Sequence, residues 1–218
     1  MNIGILGSGI VGQTLASKLV SLGHQVKIGS RSASNDKGAE WVKKHGANAS
    51  QGTFSDTAKF GEIVFNCTKG EASLEALNRA GRTNLKSKIL LDVSNPLDFS
   101  KGMPPSLLIS NTDSLGEQIQ QHFPDSKVVK TLNTISNSVM TNPRSLSDSH
   151  TIFLAGNDSD AKKKVKDLLI TFGWQENEFI DLGDITASRG VEMFLPLWVR
   201  LMGVLKTGAF NFKIVKQL

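Results

Sequence analysis

The 218-residue chain contains no tyrosine, so a reduction that depends on a Tyr–Lys pair to deliver a proton is excluded. Its one cysteine, Cys67, rules out an internal disulfide and any site built from several thiolates. The four histidines, His24, His45, His122 and His150, lie far apart with no HExxH or HxxxH pair, so no metal site is expected. At the N-terminus no charged leader precedes an apolar stretch with a small-residue cleavage site. Met1–Leu6 reads as a strand instead, and the expected location is the cytoplasm. The most apolar late segment, residues 191–205, includes Glu192, Pro196 and Arg200 and is too short to cross a bilayer, so no membrane association is expected.

What is present is an ordinary globular composition, 39% apolar and 21% charged, with 20 glycines against 6 prolines. The 25 basic and 20 acidic residues leave a net charge of +5, modest and spread along the chain. That balance suits anionic small ligands and gives no reason to expect nucleic acid. The length fits one domain over 1–218, with a dinucleotide-binding core at 1–95 and an extension at 96–218.

Strand and helix patterns alternate throughout. Asn2–Leu6, Gln25–Gly29, a short run near Asn48–Ser50, Glu62–Thr68 and Lys88–Val93 read as strands. Between them, Gly9–Leu22, Lys37–His45, a short segment from Ser55 and Gly70–Ala80 read as helices. The rhythm continues with helices at Leu115–His122 and Asp158–Phe172 and strands at Lys127–Leu132, Thr151–Ala155 and Phe179–Leu182. A long closing helix is expected over Thr186–Lys206. The fold class is therefore α/β, a doubly wound, mostly parallel Rossmann-type sheet extended by extra strands and a C-terminal helix. Residues 95–112, with Pro96, Pro104 and Pro105, read as an irregular loop near a site.

The strongest motif is Gly7-Ser8-Gly9-Ile10-Val11-Gly12, placed between a strand and a helix. Gly7 permits the tight turn, Gly9 lets the backbone approach a pyrophosphate, and Gly12 lets the helix pack on the sheet. The helix N-terminus offers free N–H groups and a partial positive charge to phosphates. At the end of the second strand, where an acid would accept hydrogen bonds from ribose hydroxyls, the chain reads Gly29-Ser30-Arg31. Ser30 and Arg31, with Lys37 from the next helix, match a 2′-phosphate, and NADP(H) is the expected cofactor. The ends of two further strands, Cys67-Thr68-Lys69 and Ser94-Asn95-Pro96, should border the nicotinamide half. Cys67 on its apolar strand reads first as a small core residue, and Asn95 before Pro96 reads equally well as a turn former. A polar strand tip, Asn133-Thr134-Ile135-Ser136, should reach the same edge of the sheet.

Taken in order, Gly7–Gly12, Gly29–Arg31, Asp92–Asn95, Val128–Ser136, Ala155–Asp158 and Arg189–Leu197 resemble the NADP-dependent oxidoreductase family of the deazaflavin-coenzyme:NADP reductases. They also resemble the cytosolic NADPH-binding domain of the STEAP metalloreductases. The resemblance implies direct hydride transfer between NADP(H) and a small acceptor ring (FMN, FAD or the deazaflavin coenzyme) stacked on the nicotinamide near Asn133, Ile135, Met193 and Leu197. It implies no catalytic acid or base. The tip Asn133–Ser136 is closer to the STEAP version than to the His-Thr-Ile-Pro of the deazaflavin enzymes, which leaves the acceptor open. These residues carry no haem-bearing membrane domain, so a free-standing reductase is the expectation. Two alternatives stand beside it: an NADP(H)-binding redox sensor without turnover, and an imine or keto-acid reductase. The apolar stripe Met193, Leu197, Leu201 and Leu205 also makes a homodimer through the closing helix an expected assembly.

Overall fold

The computed structural model describes residues 1–217. In the first half the chain forms β1 (Asn2–Leu6), α1 (Ile10–Ser21), β2 (Gln25–Ser30), α2 (Asp36–His45), β3 (Ala49–Thr53), α3 (Phe54–Phe60), β4 (Ile63–Asn66), α4 (Gly70–Ala80), α5 (Arg82–Leu85) and β5 (Ile89–Asp92). A small hairpin of β6 (Leu97–Asp98) and β7 (Ser106–Leu107) follows. Next come α6 (Leu115–His122), β8 (Lys127–Thr131), α7 (Asn137–Thr141), β9 (Ile152–Ala155), α8 (Ser159–Ile170), β10 (Phe179–Asp181), α9 (Ser188–Met193) and α10 (Leu195–Leu205).

Eight strands form one sheet in the order β10-β9-β8-β5-β4-β1-β2-β3. Successive residues of a strand face opposite sides, so continuous apolar runs must be covered on both faces. Ile63, Phe65, Ile89, Leu91 and Val129 feed one core, which also holds Leu15 and Leu19 of α1 and Val165 and Leu169 of α8. Their neighbours Val64, Leu90 and Val128 feed the other, with Ala76 and Leu77 of α4 and Ile119 of α6. Every pair is parallel except β8–β9. The β8–β9 connection carries α7, which packs beside α1, and a single 3-10 turn at Pro143–Ser145, with no helix that crosses back along the sheet, and β9 returns antiparallel.

Three places differ from the sequence reading. The 95–112 stretch contains the β6–β7 hairpin, and α5 and α7 are short helices the periodicity does not reveal. The closing helix is long but interrupted: Pro196 has no N–H to give the Glu192 carbonyl, and α9 and α10 meet at Phe194. A left-handed Lys206 (φ 56°) ends α10. The following tail returns to the sheet, where Thr151 N donates to Phe212 O at 2.7 Å and Asn211 Nδ2 donates to Thr151 O at 2.9 Å. Phe212 meets Phe194 edge-on at 4.4 Å, and Phe210 stacks on Trp198. No helix among the described residues is long and apolar enough to cross a membrane.

One buried carboxylate ties the far edge together. Glu178 accepts from Arg144 Nη2, Gln175 N and His150 N. Burial alone would raise its carboxyl, but the Arg144 guanidinium and the two backbone N–H groups outweigh burial and hold it below the usual carboxylate range. Such a group stabilises the fold fully above its unfolded value of about 4.3 and stops doing so as pH falls through the lower folded value. Glu178→Gln should therefore cost about 1–3 kcal/mol at neutral pH, a range reduced because Arg144 is partly exposed. In thermal melts the gap to wild type should close as pH drops below about 4.

Candidate active site

β1 lies between β2 and β4, and the chain first winds outward to β3 and then crosses to β4. The carboxyl ends of β1 and β4 consequently part, leaving a crevice at the switch point. Gly7 opens the turn there with φ +119°, and its N–H donates to Gly29 O at 2.9 Å. A Cβ on Gly12 would stand 2.1 Å from Gly7 O, so α1 sits directly on the turn. Gly9, the N-cap of α1, has extended backbone and no side-chain cap, and a Cβ there would meet nothing within 4 Å. The first N–H groups of α1 are left without side-chain partners beside open space, with Ser8 half-buried and Ile10 exposed. Free N–H groups at the start of a helix beside open space can accept an anion such as phosphate.

At the end of β2, the loop to α2 is braced from within. Ser30 Oγ donates to Ser32 O at 2.8 Å and accepts from Asn35 Nδ2 at 2.9 Å, while Asn35 Oδ1 caps α2 by accepting Gly38 N. The Ser30 hydroxyl proton is thus already used, and Ser30 shapes the loop where the sequence suggested a phosphate donor. Arg31 and Lys37 are exposed, and neither forms an ion pair among the described residues. Gln13 Nε2 joins this loop to the glycine turn, donating to Ser8 O and Lys37 O.

A cleft of about 200 Å³ lies beyond β4 and β5 and gathers Val11, Cys67, Thr68, Lys69, Ser94 and Asn95 from three separate segments. Leu97 and Phe99 of the hairpin complete it, two residues the sequence reading missed because the 95–112 stretch has no periodicity. Pro96 is buried behind the wall, its carbonyl accepting Leu108 N at 2.8 Å. Asn133 is also buried. Its Nδ2 donates to Asn95 Oδ1 at 2.9 Å and Val191 O at 3.0 Å, and its carbonyl accepts Asn95 Nδ2 at 2.9 Å. Asn133 therefore couples the β5 loop, the β8 tip and α9, while its Oδ1 has no partner among the described residues. Thr134 is buried and makes no side-chain hydrogen bond among the described residues. Ile135 packs into the core with Val139 and does not face open space, whereas Met193 and Leu197 are exposed.

Beneath this edge lies a charged cluster. Lys130 Nζ sits 2.7 Å from Asp92 Oδ2, 2.7 Å from Glu192 Oε1 and 2.6 Å from Ser94 O, with all three ionic side chains at most 1% exposed. Asp92 Oδ1 also accepts from Asn66 Nδ2 and from Ser94 Oγ and N. Glu192 accepts Leu115 N and Gly116 N at the start of α6. Burial works against the Lys130 charge, but Asp92 and Glu192 overcome it and the ammonium is raised above its ordinary value. The Cys67 thiol is pushed up strongly, first by burial and then by the charge of Asp92, so it is a poor nucleophile. A sequence signal for the cluster existed: Lys130 and Asp92 interrupt or close apolar strands, and they pair in register.

Comparison with known proteins matches residues 2–96 to the family described as NADP oxidoreductase, coenzyme F420-dependent. A crystal structure from Arthrobacter sp. FB24, provisionally assigned as an F420-dependent NADP-reductase, is 49% identical with a TM-score of 0.94. That match covers 99% of this chain and 100% of the other. Rat metalloreductase STEAP3 is 29% identical over 202 residues, 90% of this chain and 37% of its own. The chain thus spans little more than a third of that relative's length. An imine reductase from Myxococcus stipitatus in complex with NADP+ is 14% identical, with a TM-score of 0.64 over 94% of this chain and 64% of its own, and shares the fold.

The second and third glycines of the motif should separate in their cost. Gly12→Ala drives a Cβ into the Gly7 carbonyl and should destabilise by about 1–3 kcal/mol. Gly9→Ala, with its Cβ in open space, should change stability by less than about 1 kcal/mol. Urea denaturation of both variants measures the difference.

Proposed function

This chain belongs to the NADP oxidoreductase, coenzyme F420-dependent family, and we propose that it is a reductase that binds NADPH and delivers hydride to a flavin or deazaflavin ring. The observation that carries the reading is the uncapped N-terminus of α1 at the switch point, with an exposed Arg31 just after β2 that forms no ion pair among the described residues. The residues Gly7–Gly12 would hold the pyrophosphate through backbone N–H groups, with Gly9 giving it room. Arg31, with Lys37, would take the 2′-phosphate, and Ser30 would hold their loop in shape. Cys67, Thr68, Lys69, Ser94 and Asn95 would wall the nicotinamide half, with Pro96 fixing the turn behind them and Asn133 and Thr134 closing its edge.

When bound, NADPH supplies two electrons and one proton as hydride, and an acceptor ring takes a second proton from solvent. Such a transfer needs alignment and water exclusion more than an acid or base. The Asn95–Asn133–Val191 bridge fixes the edges of the cleft, and the exposed Met193 and Leu197 offer an apolar surface to a planar acceptor. The outward face of α10, with Leu197, Val204 and Leu205 exposed, fits a second copy of the chain. Light scattering at micromolar concentration should accordingly give a dimer mass, and a monomer would remove that part of the reading.

The reading as a whole is tested by anaerobic NADPH oxidation against FMN, FAD, riboflavin and the deazaflavin coenzyme, with NADH as control. Rapid turnover with one acceptor is expected, and tight binding without turnover on any of them would count for a sensor. Arg31→Ala should weaken NADPH binding by about tenfold or more while sparing NADH, since charge-assisted hydrogen bonds to one phosphate are lost. Equal loss for both cofactors would overturn the 2′-phosphate assignment.

A further inference from the structure

We infer that the buried Asp92–Lys130–Glu192 cluster carries an uncompensated negative charge beneath the cleft and thereby favours the oxidised, cationic form of a bound nicotinamide. The inference rests on the NADP(H) reading above and assigns a role to residues that no contact with cofactor or acceptor would reveal.

The charge count comes first. Two carboxylates share one ammonium, at 2.7 Å each, and all three side chains are withdrawn from solvent. The remaining partners are neutral: Asn66 Nδ2, Ser94 N and Oγ on Asp92, and backbone N–H groups on Glu192. Hydrogen bonds from neutral donors spread a charge without cancelling it. Glu192 has a further offset, because Leu115 and Gly116 open α6 and present the positive end of its dipole. Asp92 has no such helix end, and the excess therefore resides on its side of the cluster.

Position comes second. Asp92 closes β5, two and three residues before Ser94 and Asn95 in the cleft wall. Ser94, in that wall, donates to Asp92 Oδ1 through both its backbone N–H and its hydroxyl, so cluster and cleft share a residue. A buried charge acts in a medium of low polarisability and is little screened by salt. Loss of hydride from NADPH leaves one positive charge on the nicotinamide ring, and a negative group beneath the ring lowers the energy of that product relative to the neutral reduced form. The cluster thus makes bound NADPH a stronger hydride donor. A purely architectural cluster would hold both redox forms alike.

Dissociation constants for NADP+ and NADPH, measured by calorimetry, test this in wild type, Asp92→Asn and Glu192→Gln, with 2′,5′-ADP reporting the adenosine end. Asp92→Asn should weaken NADP+ relative to NADPH by about tenfold, the effect of removing one nearby unscreened charge. Glu192→Gln should shift the ratio in the same direction by less, because α6 already offsets that carboxylate. Binding of 2′,5′-ADP should be unchanged in both. Should Asp92→Asn fail to fold, the direction of the Glu192→Gln shift decides the matter. An unchanged ratio, or equal losses for the two forms, overturns the inference and leaves the cofactor reading intact. A wild-type protein that binds neither form overturns the cofactor reading, and this inference with it.

Discussion

The ammonium of Lys130 is the constraint on which the carboxyl edge of the sheet depends. It joins β8 to β5 through Asp92, to the start of the 94–96 loop through the Ser94 carbonyl, and to α9 through Glu192. Glu192 in turn holds the first turn of α6. Segments far apart in sequence are registered on one atom. Burying a charge is costly without good geometry, and removing one partner of such a pair typically costs about 3–5 kcal/mol because the other is stranded. The cluster therefore specifies an arrangement more clearly than it adds net stability.

That arrangement divides the crevice into two kinds of wall. One side is made mainly of backbone: a glycine turn, a helix start and strand ends whose positions follow from the sheet register. The other side is made of side chains on late elements, linked to the first wall through Asn133 and its bonds to Asn95 and Val191. The first wall is thus fixed locally, and the second depends on how the end of the chain docks.

The same division explains what could be read from residues alone. The core strands announce themselves as apolar runs ended by glycine or polar residues, and Gly70–Ala80 and Leu115–His122 are helices with those bounds. The glycine turn was legible because each glycine answers a local steric demand. That Ser30 bonds Ser32 and Asn35 within its own loop was not legible, because those partners are fixed by the fold of the loop, which residue type does not reveal. Ile135 looked like pocket lining, yet the turn after β8 rotates it into the core, where Leu132 adopts φ +63°. Leu97 and Phe99 escaped notice because a two-residue hairpin has too little length for periodicity. Lys130 and Asp92 carried a signal, but their meeting is a property of strand order, with residues 93–129 between them in sequence.

The tail that returns from α10 has a consequence for the order in which the molecule is completed. Translation delivers the chain from the N-terminus, and domains fold as units when their residues become available. The glycine turn, Arg31 and the ends of β4 and β5 are all synthesised within the first 96 residues. Lys130 then waits for Glu192, and Phe194 and Trp198 wait for Phe212 and Phe210, which only the last residues supply. In synthesis order, the glycine turn and the ends of β4 and β5 therefore precede by about a hundred residues the segments that give Lys130 its second carboxylate and Phe194 and Trp198 their aromatic partners.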